Sequence, residues 1–543
     1  MNSIVLLFLG IIIFLTAYVT YGGYLAKKWG IDTKKETPAH TKFDNVDYCP
    51  ADARILLGHH FSSIAGAGPI AGPIQAAVFG WIPVFLWIVI GSVFIGGAHD
   101  FGSLFASIRH DGKSIGEIIR INIGEKGKMI FNIFAWVTLI LVVAAFTDIC
   151  ASTFAYDVAS PTLLTGAQAG TASVLFIFLA MAFGFAVYRK NASIGISTIV
   201  GVSLLFFCVW IGYAFPFIKL TKFQWDILLL IYITLASILP VWMLLQPRDY
   251  LCSFLLYAML AGAVLGIFLT HPTMELAGFT SFTVKNQTLF PFLFVTVACG
   301  AVSGFHSLVA SGTTSKQITK EGDAKLIGYG AMLIEGLVAI VALIAVSYVA
   351  TSQGTPAQVF ASGVAVFMNS FGIPLQFGKV FVILAFSAFA LTSLDTATRI
   401  GRYIFQEFFT NASEKTKKTY ANIYTSTFVT VLASASLLAY GYQKIWPIFG
   451  SANQLLSALA LLAVTSWLAK TGKKTAMTLI PMIFMFAVSL SALFLLIKQY
   501  LFSVEKNMIL GTFAVLLFGL AIVLIIEAYK SLSGKPKSKN VSV

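Results

Sequence analysis

Nine ionisable side chains sit inside otherwise apolar stretches of this chain: His59, His60, His99, Asp100, Asp148, His306, Glu335, Asp395 and Arg399. If those stretches cross a bilayer, each such group costs roughly 3 kcal/mol or more at mid-depth, so it is rarely idle. Histidine changes charge near neutral pH, which suits a proton relay or a pH-responsive gate. His59, His60, His99, Asp100, Asp395 and Arg399 are read as that relay or as a cytoplasmic gate, and His306 as a substrate contact. A static cluster of interhelical hydrogen bonds is the alternative. Asp395 and Arg399 are four residues apart, a spacing that lets them pair on one helix face. Asp148 lies toward the other end of its span, as an outer-gate residue or a group reaching the interface.

The segment 54–81, RILLGHHFSSIAGAGPIAGPIQAAVFGW, carries a second kind of signal. Gly66, Gly68, Pro69, Gly72 and Pro73 fall within eight residues. Proline removes an amide donor and glycine loosens the backbone, so a helix entering here is expected to break. In hydrocarbon a break is tolerable where it lines a cavity inside protein. Discontinuous helices of this kind expose carbonyls to cations and half-helix amino ends to anionic substrates. Ser62, Ser63, Gly66, Ala67, Gly68 and Gln75 are therefore candidate substrate contacts. A second break is expected five spans later, at Ser237-Ile238-Leu239-Pro240, with Ser237 as a contact. Ser303, Ser307, Ser311, Thr313 and Thr314 form a polar stripe that suits either a cation site or close helix packing.

The elements that hold these residues follow from composition. Of 543 residues, 58% are hydrophobic and only 11% charged, against about 25% charged for a soluble protein. Apolar runs of about 20 residues alternate with short polar joints, which is the pattern of membrane helices and not of a β-barrel. Fifteen spans are expected, beginning with a retained span at 3–22 and ending at 508–528. With the N-terminus outside, the cytoplasmic joints and the basic tail, Lys530 to Lys539, hold 29 of the 36 Lys and Arg residues, as the positive-inside rule requires. Residues 357–371 read as an amphipathic helix on the outer face or a half-span.

Paired breaks in spans one and six of a core imply a five-plus-five inverted repeat. The expected organisation is an N-terminal helix and loop at 1–53, a ten-helix core at 54–397 with repeats 54–216 and 226–397, and four further helices within 398–543. The net charge of +14 sits in loops without aromatic interleaving, so nucleic acid is not an expected partner. Membrane lipid, a small polar solute and a driving ion, H+ or Na+, are. The five cysteines show no metal-ligand spacing. No cofactor, metal or catalytic residue is expected, and no G-x-x-x-x-G-K-[ST] loop points to ATP. Two other readings carry tests of their own. One is a redox protein using His59, His60, His99 and His306 as ligands; the other is a sensor with a transporter-like core.

Five motifs together resemble the carbon starvation protein A (CstA) family: GHHFSSIAGAGPIAGPI (58–74), FGWIPVFLW (79–87), GAHDFGS (97–103), SGFHSLVASGTTSKQ (303–317) and LTSLDTATRIGRYIFQE (391–407). The resemblance implies a secondary transporter of the bacterial inner membrane that imports short peptides, or in some relatives pyruvate, driven by a cation gradient during carbon starvation. It also implies the all-α fold of the amino acid–polycation–organocation (APC) superfamily, with a LeuT-like inverted-repeat core. The chain is shorter than the family's longest members, chiefly toward its C-terminal part.

Overall fold

Backbone polar groups in hydrocarbon must be satisfied within the segment, so long apolar runs become helices. The structure, a computed structural model, describes residues 2–44, 48–157, 164–240, 242–284, 287–349, 354–410, 412–503 and 506–533. Most of the expected basic tail, Lys530 to Lys539, lies outside the described residues. The described chain is helical throughout except for loops and a two-stranded ribbon pairing Thr283–Val284 with Gln287–Thr288.

After α1 (Ser3–Val19) and short helical segments at Tyr21–Trp29 and Pro38–Thr41 come α2 (Ala53–Ile64) and α3 (Gly68–Ala76). The next span is α4 (Trp81–Ile90) and α5 (Gly97–Arg109), joined by a π turn at Gly91–Gly96. A short helix, α6 (Ile115–Asn122), leads into α7 (Glu125–Phe154). The next four are α8 (Thr165–Lys190), α9 (Ile194–Ala214), α10 (Lys222–Ile238) and α11 (Leu245–Thr270). A second pair of short helices follows, α12 (Leu289–Val297) and α13 (Gly304–Gly312), then α14 (Ala331–Val349), α15 (Pro356–Asn369) and α16 (Leu375–Glu407). The chain continues through α17 (Ile423–Ala435), α18 (Tyr442–Lys470), α19 (Ala476–Phe502) and α20 (Met508–Ser533).

Thirteen helices among the described residues are each long and apolar enough to cross a bilayer. The two expected spans outside that number are the broken segment α2–α3 and the 17-residue α10. The helix α15 opens with a capping box between Thr355 and Gln358 and buries Val359, Phe360, Val364 and Phe367 against its neighbours.

Burial separates the centre from the lipid surface. In α9 the buried residues are Gly201, Leu205, Val209 and Gly212, one seam at helical spacing. The rest of that helix turns Ile199, Phe207 and Trp210 outward, which only lipid can solvate. In α18 the opposite holds: Ser451, Asn453, Gln454 and Ser457 are all buried. At the centre α7 and α16 pack along each other. The packing then repeats in two halves. The helix α11 lies on α2, α15 and α16, while α18 lies on α12, α13, α6 and α7. The helices α10 and α17 both wedge against the α7–α16 pair and touch each other. Among the described residues the hairpin α8–α9 has no counterpart in the second half.

One expectation is corrected here. The second break falls at Ala298–Ser303, between α12 and α13, and not at Pro240. Pro240 ends α10, and the chain is helical again only from Leu245. The broken span is the one that runs from Leu289 to Gly312.

Candidate functional site

The two breaks face each other across van der Waals distance. A Cβ on Gly68 would lie 2.5 Å from the Cβ of Cys299, and one on Gly72 would lie 2.5 Å from the Val297 carbonyl oxygen. Only glycine permits that approach. Pro69 falls in the first turn of α3, where its missing N–H costs nothing. Pro73 sits within α3, further weakening its ladder. Ala67, the residue before α3, has no side-chain cap to offer, so the amino end of this half-helix presents free amides beside the second break. At the other side of the gap, Ser393 of α16 donates to the Ser63 carbonyl at 3.1 Å.

Asparagine and glutamine from α18 satisfy the second break. Asn453 Oδ1 accepts from the Phe305 amide at 2.9 Å, capping α13 from a different helix. Its Nδ2 donates to Ser303 Oγ at 3.1 Å, and Gln454 Nε2 donates to the Val302 carbonyl at 3.0 Å. These two residues escaped the sequence reading; the polar pair Asn453-Gln454 inside an apolar span was the signal.

Four of the ionisable groups join into a chain beside the breaks. His99 Nδ1 lies 2.6 Å from Asp100 Oδ1, and His306 Nδ1 lies 2.7 Å from Asp100 Oδ2. His306 Nε2 is 3.3 Å from Glu335 Oε2. All four side chains are fully buried. His60 stands next to this chain, with Nδ1 2.8 Å from Thr314 Oγ1.

A second cluster forms around Arg248, a residue not among the sequence candidates. Arg248, near the start of α11, is fully buried and pairs with Asp395 of α16 and the Tyr232 hydroxyl of α10. Tyr232 in turn donates to Asp395 at 2.7 Å. Asp249 lies 3.5 Å from Arg248, 3.4 Å from His59 Nδ1 and 3.4 Å from Ser63 Oγ, which donates to it. His59 lines a cavity of about 90 Å³ with Ala51, Tyr250 and Gln317. The expected Asp395–Arg399 pair is thereby corrected. Arg399 Nη2 instead donates to the Ala236 and Leu239 carbonyls, both at 2.7 Å. With Arg402, which donates to the Ser237 carbonyl, it closes the carboxyl end of α10 where Pro240 stops the ladder.

The remaining candidates divide. Ser62 is buried and Gln75 half-buried near the first break. Ser237 bonds Thr427 of α17 at 3.3 Å and is not brought to the breaks. Ser307, Ser311 and Thr313 spend their hydroxyls on helix carbonyls, those of Gly304, Ser307 and Val309. Among the described residues, Thr314, on His60, and Ser303, on Asn453, are the two of the five stripe residues whose side chains hydrogen-bond another segment. Asp148 sits apart, accepting from the Tyr442 amide at 2.8 Å and pairing with Lys222. The histidines proposed as ligands do not converge: two share Asp100, one bonds Thr314 and one faces Asp249. A groove of about 740 Å³ lined by Trp87, Phe294 and Phe484 faces lipid and touches none of these groups.

A family model described as carbon starvation protein CstA matches residues 2–353 and 347–492. This chain belongs to the CstA family. Peptide transporter CstA of Escherichia coli (strain K12) is 31% identical over 579 residues, covering 90% of this chain and 80% of its own. The pyruvate/proton symporter BtsT of the same strain is 30% identical over 556 residues, covering 84% of this chain and 76% of its own. Among solved structures, a manganese transporter of Eremococcus coleocola superposes with a TM-score of 0.50 at 10% identity, covering 90% of this chain and 98% of its own. That likeness concerns the fold alone. As a member of the CstA family the chain is a multi-pass membrane protein and a secondary transporter with a LeuT-like, all-α core, and its relatives do not support the redox alternative.

Proposed function

We propose that this CstA-family transporter imports short peptides, or pyruvate and related small carboxylates, across the bacterial inner membrane, driven by protons. The observation that carries the reading is the pair of breaks held face to face by Gly68 and Gly72, with the uncapped amino end of α3 between them. Both substrate classes carry a carboxylate, and an unpaired set of helix N–H groups favours negative charge. Ser62, Ser63, Gly66, Ala67, Gly68, Gln75 and His306 are the proposed contacts. The Arg248–Asp395–Tyr232 cluster, with Asp249 and His59, is the proposed inner gate, since His59 opens onto the cavity at that end. The buried carboxylate–histidine chain, whose groups take up and release protons, favours protons as the driving ion.

The duplicated packing supports repeats at 53–270 and 289–470, with the α8–α9 hairpin inserted in the first. Each then begins with a broken helix. The positive-inside rule supports an N-terminus outside the cell. Uptake of labelled pyruvate and of a labelled dipeptide into proteoliposomes tests the reading. Accumulation of one of them under an inward proton gradient is the expected result. No accumulation of either under any proton or sodium gradient would remove both substrates.

A further inference from the structure

The chain His99–Asp100–His306–Glu335 has a proton count set by its geometry. An ionised carboxylate only accepts hydrogen bonds. With Asp100 ionised, the ring nitrogens 2.6 Å and 2.7 Å from it, His99 Nδ1 and His306 Nδ1, both carry hydrogens. The charge of each ring is then decided at Nε2. His306 Nε2 lies 3.3 Å from Glu335 Oε2, without the alignment of a hydrogen bond. Neither Glu335 oxygen has a hydrogen-bond partner among the described residues, and the residue is fully buried. With no proton between them, two lone pairs would oppose each other beside a second carboxylate, among fully buried side chains. Burying charge without a partner is strongly unfavourable. One proton removes the conflict, either on His306 as an imidazolium facing a carboxylate, or on Glu335 as an acid donating to a neutral ring.

We propose that the His306 Nε2–Glu335 Oε2 pair binds the coupling proton and that Glu335 is its carrier. This rests on the proton-driven reading above. The transfer makes an O–H bond at Glu335 as it breaks an N–H bond at His306, or the reverse, and involves no other bond. The groups facing the pair are Asp100 of α5, His60 of α2, Cys299 at the second break and, through Asp100, His99 of α5. The helices α1, α3, α4 and α15, which also pack on α14, contain no Asp, Glu, His, Lys or Arg. The charged pair on α11, Arg248 and Asp249, is engaged with Asp395 and His59. The Ile64 carbonyl, at the end of α2, also faces the His306 ring. His306 lies in the first turn of α13. The proton is thus held between the ends of the two broken helices, where its arrival or loss changes the charge that both of them sense.

Two measurements on the full chain in lipid vesicles test this. In infrared difference spectra taken across a pH titration, the wild type is expected to show the carbonyl stretch of a protonated carboxylic acid. That band is lost in Glu335→Gln and kept in Glu407→Gln, a half-buried acid outside the cluster. A band unchanged in Glu335→Gln overturns the proposal. Should Glu335→Gln fail to insert, His306→Asn serves instead: the band's titration midpoint is expected to move, and an unmoved midpoint overturns the proposal. In the transport assay, Glu335→Gln is expected to exchange labelled for unlabelled pyruvate or dipeptide while losing gradient-driven accumulation. Accumulation equal to wild type overturns the proposal. The infrared measurement needs no substrate. A titrating Glu335 band in a protein that takes up neither compound would sink the substrate reading and leave the proton site standing.

Discussion

Arg248 and Asp395 are both fully buried, and each supplies the other's countercharge, with Tyr232 completing the triangle. Removing Arg248 strands Asp395 in the buried interior, and removing Asp395 leaves Arg248 with Asp249 at 3.5 Å; breaking a buried pair costs about 3–5 kcal/mol. Arg248→Gln and Asp395→Asn are each expected to lower the unfolding temperature in detergent markedly. The double variant should recover part of that loss; additive losses in a double-mutant cycle would show that the two side chains do not interact. The ionisable residues themselves were legible in the sequence, because charge inside an apolar run stands out. Their partners were not. Asp100 and His306 are 206 positions apart, and no local pattern reports such a pairing. Arg399 shows the limit of spacing rules: four residues from Asp395 it can reach that carboxylate, but the carbonyls freed by Pro240 offer it two hydrogen bonds instead. Arg248 was hidden by position, since a charge at the start of a span reads as an ordinary loop residue.

Among the elements, the broken helices depend on contacts that tolerate no extra atom. Gly72→Val would drive its side chain into the Val297 carbonyl. Normal insertion with loss of uptake is the expected phenotype, checked by comparing the amount of protein in the membrane with transport per molecule. Wild-type uptake would mean that the two half-helices need not touch. Asn453→Leu leaves the Phe305 amide and Ser303 without their partner, and an unmet buried group costs about 1–3 kcal/mol. Asn453→Asp keeps the acceptor for the Phe305 amide and should lose less; thermal unfolding of the two variants side by side checks this. The first break was readable because five breakers crowd into eight residues. The second was not, because TVACGAVSG (298–304 with its two preceding residues) contains no proline and only two glycines. There the turn is made by Ala298 in the left-handed region, at φ 37°, a conformation that composition does not announce. Pro240 misled for the opposite reason: a proline marks the end of a helix as readily as a bend inside one.

For the whole molecule, hydrophobicity and loop charge were enough to read a polytopic helical protein, since both act locally along the chain. The packing of α11 and α18 on opposite halves needs three dimensions and could not be read that way. The proposed orientation is open to direct measurement. In a background lacking Cys49 and Cys208, the cysteines that are not fully buried, Thr280→Cys should react with an impermeant maleimide in intact cells. Ser413→Cys should react only after the membrane is permeabilised. The reverse pattern would invert the topology. The cap that Asn453 places on α13 also bears on biogenesis. The ribosome completes α12 and α13 some 140 residues before it makes Asn453, so the gap between them enters the bilayer with its polar groups unmet. The α18 helix must then be accepted from the translocon with an asparagine and a glutamine at its middle. Each segment is a poor guest in lipid alone and a good one beside the other. Insertion of this transporter is therefore cooperative across distant parts of the chain, and a nascent protein halted after Glu407 is a substrate for quality-control proteolysis.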